Sequence, residues 1–311
     1  MSIKDKTGRR VIKGINGIVN IVVLTIIVLL LVFAGYALWD SEQIYQIADK
    51  SNYEVYKPTV ENQGKSFQEL QEINDDVFAW LTVYGTNIDY PVAQGEDNRH
   101  YVNTSVEGKY SYVGSIFMDY NNSRDFSDFN SILYGHHMQK KAMFGQIDSF
   151  VDRDVFDSHR YGNLYFDGKD HGIEFFAFIH TDAYDNSIFI ANVRGDSARQ
   201  NYLDGLLSKS MYSRDIGVTI DDHLILLSTC SASSTNGRDI LVGRITDEVY
   251  GDTFFEEGTE GGLGVTVDSP NDLIKLFSHW LPWLLLVLVV LLLVLILVVF
   301  RKRKQKQGRD V

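Results

Sequence analysis

Cys230 is the only cysteine of the 311-residue chain, and Arg238 follows it within the same short stretch. An apolar run, Leu224 to Leu227, leads through Ser228 and Thr229 to the cysteine; a polar loop containing Asn236-Gly237 comes next, and Asp239 to Ile245 forms a second apolar run behind the arginine. A short apolar run bounded by turn formers reads as a buried strand, so Leu224 to Leu227 is expected to deliver Cys230 to a strand end. Asn-Gly marks a turn, which makes Asp239 to Ile245 the returning strand and sets Cys230 and Arg238 at facing ends of neighbours. A thiolate is the reactive form of cysteine; a guanidinium beside it favours that form and can stabilise a developing oxyanion. The competing reading of a lone cysteine is a small buried hydrophobe.

A cysteine nucleophile needs a base or cationic partner, and the chain has eight histidines. His136 and His137 stand out because they follow an expected buried strand, Ile132 to Tyr134, and a glycine, Gly135, that lets the backbone turn toward a site. His100, His159 and His171 fall in polar loops, His180 ends a strand, His223 opens the strand leading to Cys230, and His279 lies at a membrane edge. No second histidine or carboxylate stands at a metal-ligand spacing from the pair, so neither a metal nor a cofactor is expected. The glycines of Glu256 to Gly264 lack the strand, helix and lysine that a phosphate-binding loop needs.

Two long apolar segments decide where such a site would work. Ile15 to Trp39 contains no charged residue, and Leu281 to Phe300 is almost purely Leu, Val, Ile, Trp and Phe. Either is long enough for a bilayer core, which needs about 20 apolar residues. Residues 1–14 carry a charge of +4 and residues 301–311 one of +5. Basic flanks stay cytoplasmic, so both termini are expected inside and the intervening segment outside. With a net charge of −12 for the whole chain, that segment carries −21, which argues against a nucleic-acid partner. The first segment is long for a signal peptide and lacks a clear small-residue cleavage site, which favours an uncleaved anchor. A single cysteine on an exported domain has no internal disulfide partner; it pairs between chains or stays free for chemistry.

The expected layout is a cytoplasmic basic tail (1–14), a transmembrane helix (15–39), an extracytoplasmic helical stalk (40–65), a catalytic domain (66–255), a linker (256–280), a second transmembrane helix (281–300) and a second basic tail (301–311). In the stalk, Asp40 to Tyr56 reads as a helix, and Ser66-Phe67-Gln68-Glu69 as a capping box that opens another through Ile73. Short strands are then expected at Val77 to Val83, Ile88 to Val92, Tyr112 to Met118, Ile132 to Tyr134, Asn163 to Phe166, Glu174 to Ile179, Gly217 to Ile220, Leu224 to Leu227 and Asp239 to Ile245. Helices are expected near Ala142 to Phe150 and over Asp196 to Leu207. Many short strands with polar turns indicate a mainly β barrel or sandwich.

At these residues the chain resembles the sortases, cysteine transpeptidases of Gram-positive cell surfaces, and class B most closely. The resemblance runs from Ser66 to Ile245 through Phe78-Ala79-Trp80-Leu81, Thr86 to Val92, Gly114 to Tyr120, Leu133-Tyr134-Gly135-His136-His137-Met138, and Leu227-Ser228-Thr229-Cys230 with Arg238. It implies a closed β-barrel with added helices, Cys230 as nucleophile, His136 as acid or base because it follows the glycine directly, and Arg238 as oxyanion or substrate clamp. Arg244 lies deeper in the last strand and reads as structural. Two positions depart from the family pattern: Leu226 replaces its first threonine, and Asp239 follows the arginine where an apolar residue is usual and could compete for the guanidinium.

The resemblance further implies a reaction in which Cys230 attacks a carbonyl of a C-terminal sorting motif in a secreted protein or pilin. The resulting thioester passes to an amine, from a peptidoglycan precursor or a pilin lysine. A C-terminal membrane helix is more usual in class C, yet the Asp-Pro-aromatic lid motif of that class is absent here, so an unlidded, class B-like core is expected. A cysteine protease would share the nucleophile and histidine but release its product to water; a surface binding scaffold would tolerate loss of Cys230.

Overall fold

The computed structural model of the chain describes residues 3–59, 64–232 and 235–254. The segment before Ile44 belongs to one compact unit, and Ile44–Glu260 forms another. The expected linker and second membrane segment, 256–280 and 281–300, lie outside the described residues.

Helix α1 (Ile3–Ile47) is long and apolar enough from Gly14 onward to cross a membrane, by length and composition. Most of its Ile, Val, Leu and Phe side chains between Ile15 and Leu38 are exposed along the helix, an apolar surface suited to a non-aqueous medium. The helix expected over Asp40 to Tyr56 ends instead at Ile47. The Asp49 carboxylate accepts from Ser51 N at 2.9 Å and starts a separate 3-10 turn, Lys50–Asn52, followed by another at Glu54–Tyr56. This stretch packs into the second unit, because Ala48 and Tyr53 are buried and the Tyr90 hydroxyl donates to Ala48 O at 2.9 Å. The capping box at Ser66 does not form either. Gly64 holds the N-cap position of α2 (Lys65–Ile73), and Ser66 Oγ donates to Lys57 O at 3.2 Å.

Among the described residues there are nine strands: β1 (Val77–Val83), β2 (Asp89–Ala93), β3 (Ile116–Met118), β4 (Asn130–Tyr134), β5 (Tyr161–Phe166), β6 (Lys169–Asp182), β7 (Ser210–Ser213), β8 (His223–Cys230) and β9 (Gly237–Thr246). They pair in the order β5-β1-β2-β3-β4-β8-β9-β6, and β5 also pairs with β6, so these eight close into a barrel while β7 adds to β6 from outside the ring. Closure removes the unpaired edges that an open sheet would leave. The β2–β3 and β4–β8 pairs are parallel and the rest antiparallel.

Strand β8 reads as an unbroken apolar run because both of its faces are covered. Ile225 and Leu227 join the larger core cluster, with Leu81, Leu133, Phe175 and Leu241; Leu224 and Leu226 join a second cluster, with Ile132, Ile240, Val242 and the buried face of α4 (Asp196–Lys209), Tyr202, Leu203 and Leu206. The strand expected over Tyr112 to Met118 shrinks to Ile116–Met118 because a turn closes at Gly114, whose N–H donates to Ser111 O at 3.2 Å. Gly217 to Ile220 is not a strand: Asp215 and Asp222 bind the N–H groups of Gly217 and Thr219 at 3.1 and 2.7 Å and hold it as turns. The helix expected near Ala142 to Phe150 is a 3-10 segment, Gly145–Val151, followed by α3 (Arg153–Ser158), which Asp152 caps.

Candidate active site

The cysteine and the arginine meet through strand register. Cys230 ends β8 and is paired directly with Arg238 of β9. The N–H of Ser231 donates to Gly237 O at 2.8 Å, one residue outside the pair on each strand, which makes Cys230 and Arg238 a non-hydrogen-bonded pair. Antiparallel partners of that kind stand about 4.5 Å apart at Cα and present neighbouring side chains on one face. Cys230 is a free thiol and exposed, although Ser228 and Thr229 just before it are buried. This is an accessible strand end beside a cation, not a core position.

The histidine arrives on the parallel neighbour. Tyr134 of β4 pairs with Ser228 of β8, and His136 and Cys230 each lie two residues further on. Side chains alternate along a strand, so Tyr134, Ser228, Cys230 and Arg238 share the face that also carries Leu224, Leu226 and Ile240. Two bonds tie the strand ends together: Gly135 N donates to Ser228 O at 3.2 Å, and Thr229 Oγ1 donates to Gly135 O at 2.9 Å. His136 Nε2 lies 2.8 Å from Val102 O, and because a carbonyl only accepts, the ring nitrogen is the donor.

His136, Cys230 and Arg238 line one cleft of about 430 Å³, within the usual range for ligand pockets. Its other walls come from Asn98, Val102, Phe117 and Tyr134, and from Ala183 and Phe189 in the connection between β6 and α4. Behind the polar wall, the buried Asp119 carboxylate accepts from Tyr134 Oη at 3.0 Å and from Asn98 Nδ2 at 2.8 Å, while Asn98 Oδ1 accepts from Tyr120 N at 3.0 Å. Burial, and then the adjacent Asp119 charge, hold the Tyr134 phenol well above the ordinary tyrosine range, so it remains a hydroxyl donor.

Among the described residues, the remaining candidates are engaged elsewhere; His279 lies outside them. His137 Nε2 pairs with Asp148 at 2.9 Å, and His223 Nδ1 bonds Asp128 O at 2.8 Å. His100, His159 and His171 pack on Tyr101, Phe254 and Phe166. Asp239 does not compete for Arg238. It pairs with Thr229 on the opposite face, is buried, and binds His180 Nδ1 at 2.7 Å; this is why the apolar residue usual there can be replaced by a carboxylate. Arg244 lies at the other end of β9, where its Nη2 binds the buried Glu174 carboxylate at 2.8 Å; Arg160 binds the same group through Nε and Nη2 at 3.0 and 2.6 Å.

The cleft walls were harder to find from sequence. Asp119 interrupts the apolar run Ile116-Phe117-Met118, and a carboxylate there is a usable signal. Asn98, Ala183 and Phe189 sit in irregular segments with no local pattern that aims them at Cys230.

No family model matches the chain. Known proteins do. It is 30% identical to sortase B of Staphylococcus aureus over 238 residues, 73% of this chain and 96% of that protein. The solved sortase B of the type II pilus of Streptococcus pneumoniae is 45% identical, with a TM-score of 0.52 over 58% of this chain and 99% of that one. A Streptococcus pyogenes class B sortase involved in pilus biogenesis is 39% identical, with a TM-score of 0.54 over 59% of this chain and 99% of the other.

Proposed function

Since the chain belongs to the sortase B family and is a cysteine transpeptidase, we propose that Cys230, His136 and Arg238 carry the transfer through a thioester acyl-enzyme. One observation bears most of the weight: the cross-strand pairing of Cys230 with Arg238, beside the strand end that leads to His136. Cys230 Sγ attacks a backbone carbonyl of a sorting motif while its proton passes to His136. The negative charge that gathers on the carbonyl oxygen is met by the Arg238 guanidinium, which is always charged. Collapse breaks the peptide bond, His136 returns the proton to the departing amine, and a thioester remains. An incoming amine then attacks the thioester, loses a proton to His136 and releases Cys230.

The acyl donors are secreted proteins or pilins bearing the motif. The higher identities to pilus sortases, 45% and 39% against 30% for the S. aureus enzyme, favour a pilin lysine over a peptidoglycan precursor as acceptor. Helix α1 anchors residues 66–255, as the catalytic domain, outside the membrane; residues 281–300 form a second span, and both basic tails stay cytoplasmic.

The test uses the full chain in detergent with sorting-motif peptides and amine acceptors, products being identified by mass. The expected product joins the acyl half of the peptide to the amine, and neither Cys230→Ala nor His136→Gln makes it. Hydrolysis alone, with no amine incorporated, would replace the transpeptidase reading with a protease.

A further inference from the structure

Among the described residues, the His136 ring bonds to the main chain alone, through Nε2 to Val102 O at 2.8 Å. That carbonyl ends a 3-10 turn, His100–Val102, in the connection between β2 and β3, and the turn from Ser111 to Gly114 backs it. Gly114 has φ +63°, and a Cβ built on it would stand 2.4 Å from Val102 O and 2.6 Å from Tyr101 O. The contact is backbone against backbone, with no flexible side chain to give way. Ser115 next to it fixes the same strip, since its N–H donates to Tyr101 O at 3.0 Å and its Oγ to Thr104 O at 2.7 Å.

We propose that the Val102 carbonyl is the group that orients His136, doing through the main chain what a carboxylate does in a Ser-His-Asp triad, and that Gly114 is the positioning residue that keeps it in place. A carbonyl oxygen can only accept, so the neutral imidazole must carry its proton on Nε2, and Nδ1 is left with the lone pair that exchanges protons in the cleft. A carboxylate in that place would also stabilise the imidazolium by charge; an uncharged carbonyl fixes tautomer and ring direction with a smaller effect on charge. Gly114 touches neither substrate nor reacting atoms. Its part is to let two backbones approach more closely than any side chain allows, at a φ that L-residues with a Cβ adopt with strain.

The inference rests on the role given to His136 above, and its test separates the two. Gly108 is the control for backbone strain: its φ is +77°, yet a Cβ there meets nothing within 4 Å. In the full chain, Gly114→Ala is expected to lower kcat about 10- to 100-fold, less than the roughly 100- to 10,000-fold that a positioned general acid or base contributes in full, with KM little changed. Gly108→Ala, equally strained but in open space, is expected to keep the wild-type kcat. Histidine nitrogen NMR, with His136 assigned by the signal lost in His136→Gln, is expected to place the neutral-state proton on Nε2 in wild type and to detect a tautomer mixture in Gly114→Ala. A wild-type proton on Nδ1 overturns the inference, and this reading stands even if Gly114→Ala fails to fold. A folded Gly114→Ala with wild-type kcat, or one slowed with its tautomer unchanged, overturns it as well. Wild-type turnover in His136→Gln would instead sink the function assigned to the histidine, whatever the tautomer.

Discussion

Arg238 and Arg244 occupy one strand, and their surroundings give them opposite duties. Arg238 faces Cys230 across a close pair, with its Nη1 donating to Gly237 O at 2.9 Å and the cleft in front of it. Arg244 shares the buried Glu174 carboxylate with Arg160. Removing a donor that acts on developing oxyanion charge costs about 100- to 1,000-fold in rate, and this is the expected loss in Arg238→Ala, at an unchanged melting temperature. Arg238→Lys keeps the charge but loses the planar fork, so it recovers part of the rate. Arg244→Ala removes one charged hydrogen bond from a carboxylate that Arg160 still partners; the expected cost is about 1.5–3 kcal/mol of stability, with activity lost only as far as the protein unfolds. Melting curves beside transfer rates decide the matter: a well-folded but dead Arg244→Ala next to an active Arg238→Ala would reverse the assignment.

Elements were legible from sequence where burial and turn chemistry agreed. Leu224 to Leu227 led correctly to a strand that ends at Cys230, because an apolar run covered on both faces needs no alternation to be recognised, and Val77 to Val83 matches β1 end to end. Legibility failed where side chains compete for the backbone: Asp49 starts a 3-10 turn of its own, and Asp215 and Asp222 turn Gly217 to Ile220 away from the sheet. Strand β7 was missed because Ser210–Ser213 is half-exposed and gains its place from pairing with β6, which no local pattern announces. The connection between β6 and α4 is the functional case, since Ala183 and Phe189 line the cleft from it. Asp185 holds that connection. Its carboxylate accepts from Thr181 Oγ1 at 2.7 Å and from Ser187 N and Oγ at 3.1 and 2.7 Å, and pairs with Lys209 of α4. Burial alone raises its pKa, but the hydrogen bonds from Lys209, Ser187 and Thr181 outweigh it and leave the carboxyl well below the usual range. A folded pKa depressed in this way contributes stability that is complete above the ordinary carboxylate value of about 4 and is lost as pH falls through the lower folded value. Asp185→Asn is therefore expected to melt below wild type at neutral pH, with the gap closing as pH drops below about 4. A gap that stays constant from neutral to acid would show that the Asp185 charge is not what holds the connection.

At the scale of the whole molecule, the proposed topology rests on charge and hydropathy, since a barrel by itself carries no membrane side. The segment between the two apolar stretches carries −21, whereas the tails carry +4 and +5. Lysine and arginine flanks resist export, and each cation costs about 2.5–3.5 kcal/mol at the centre of a membrane helix, so tails this basic are expected to remain where they are made. In the proposed topology the transpeptidase would meet substrates as they emerge at the same membrane, with the Cys230 cleft on the outer side. Because Cys230 is the only cysteine, the chain supplies its own clean background for testing sidedness. In intact cells a membrane-impermeant thiol reagent is expected to label wild type, since Cys230 is exposed, and to leave Cys230→Ala unlabelled. Ser2→Cys and Val311→Cys, each added to Cys230→Ala, are expected to react only after the membrane is permeabilised. Labelling of Val311→Cys from outside would mean that residues 281–300 do not cross, while leaving the α1 anchor intact. Labelling of Ser2→Cys from outside, or of wild type only after permeabilisation, would invert the orientation and place the thiol on the wrong side for any secreted substrate.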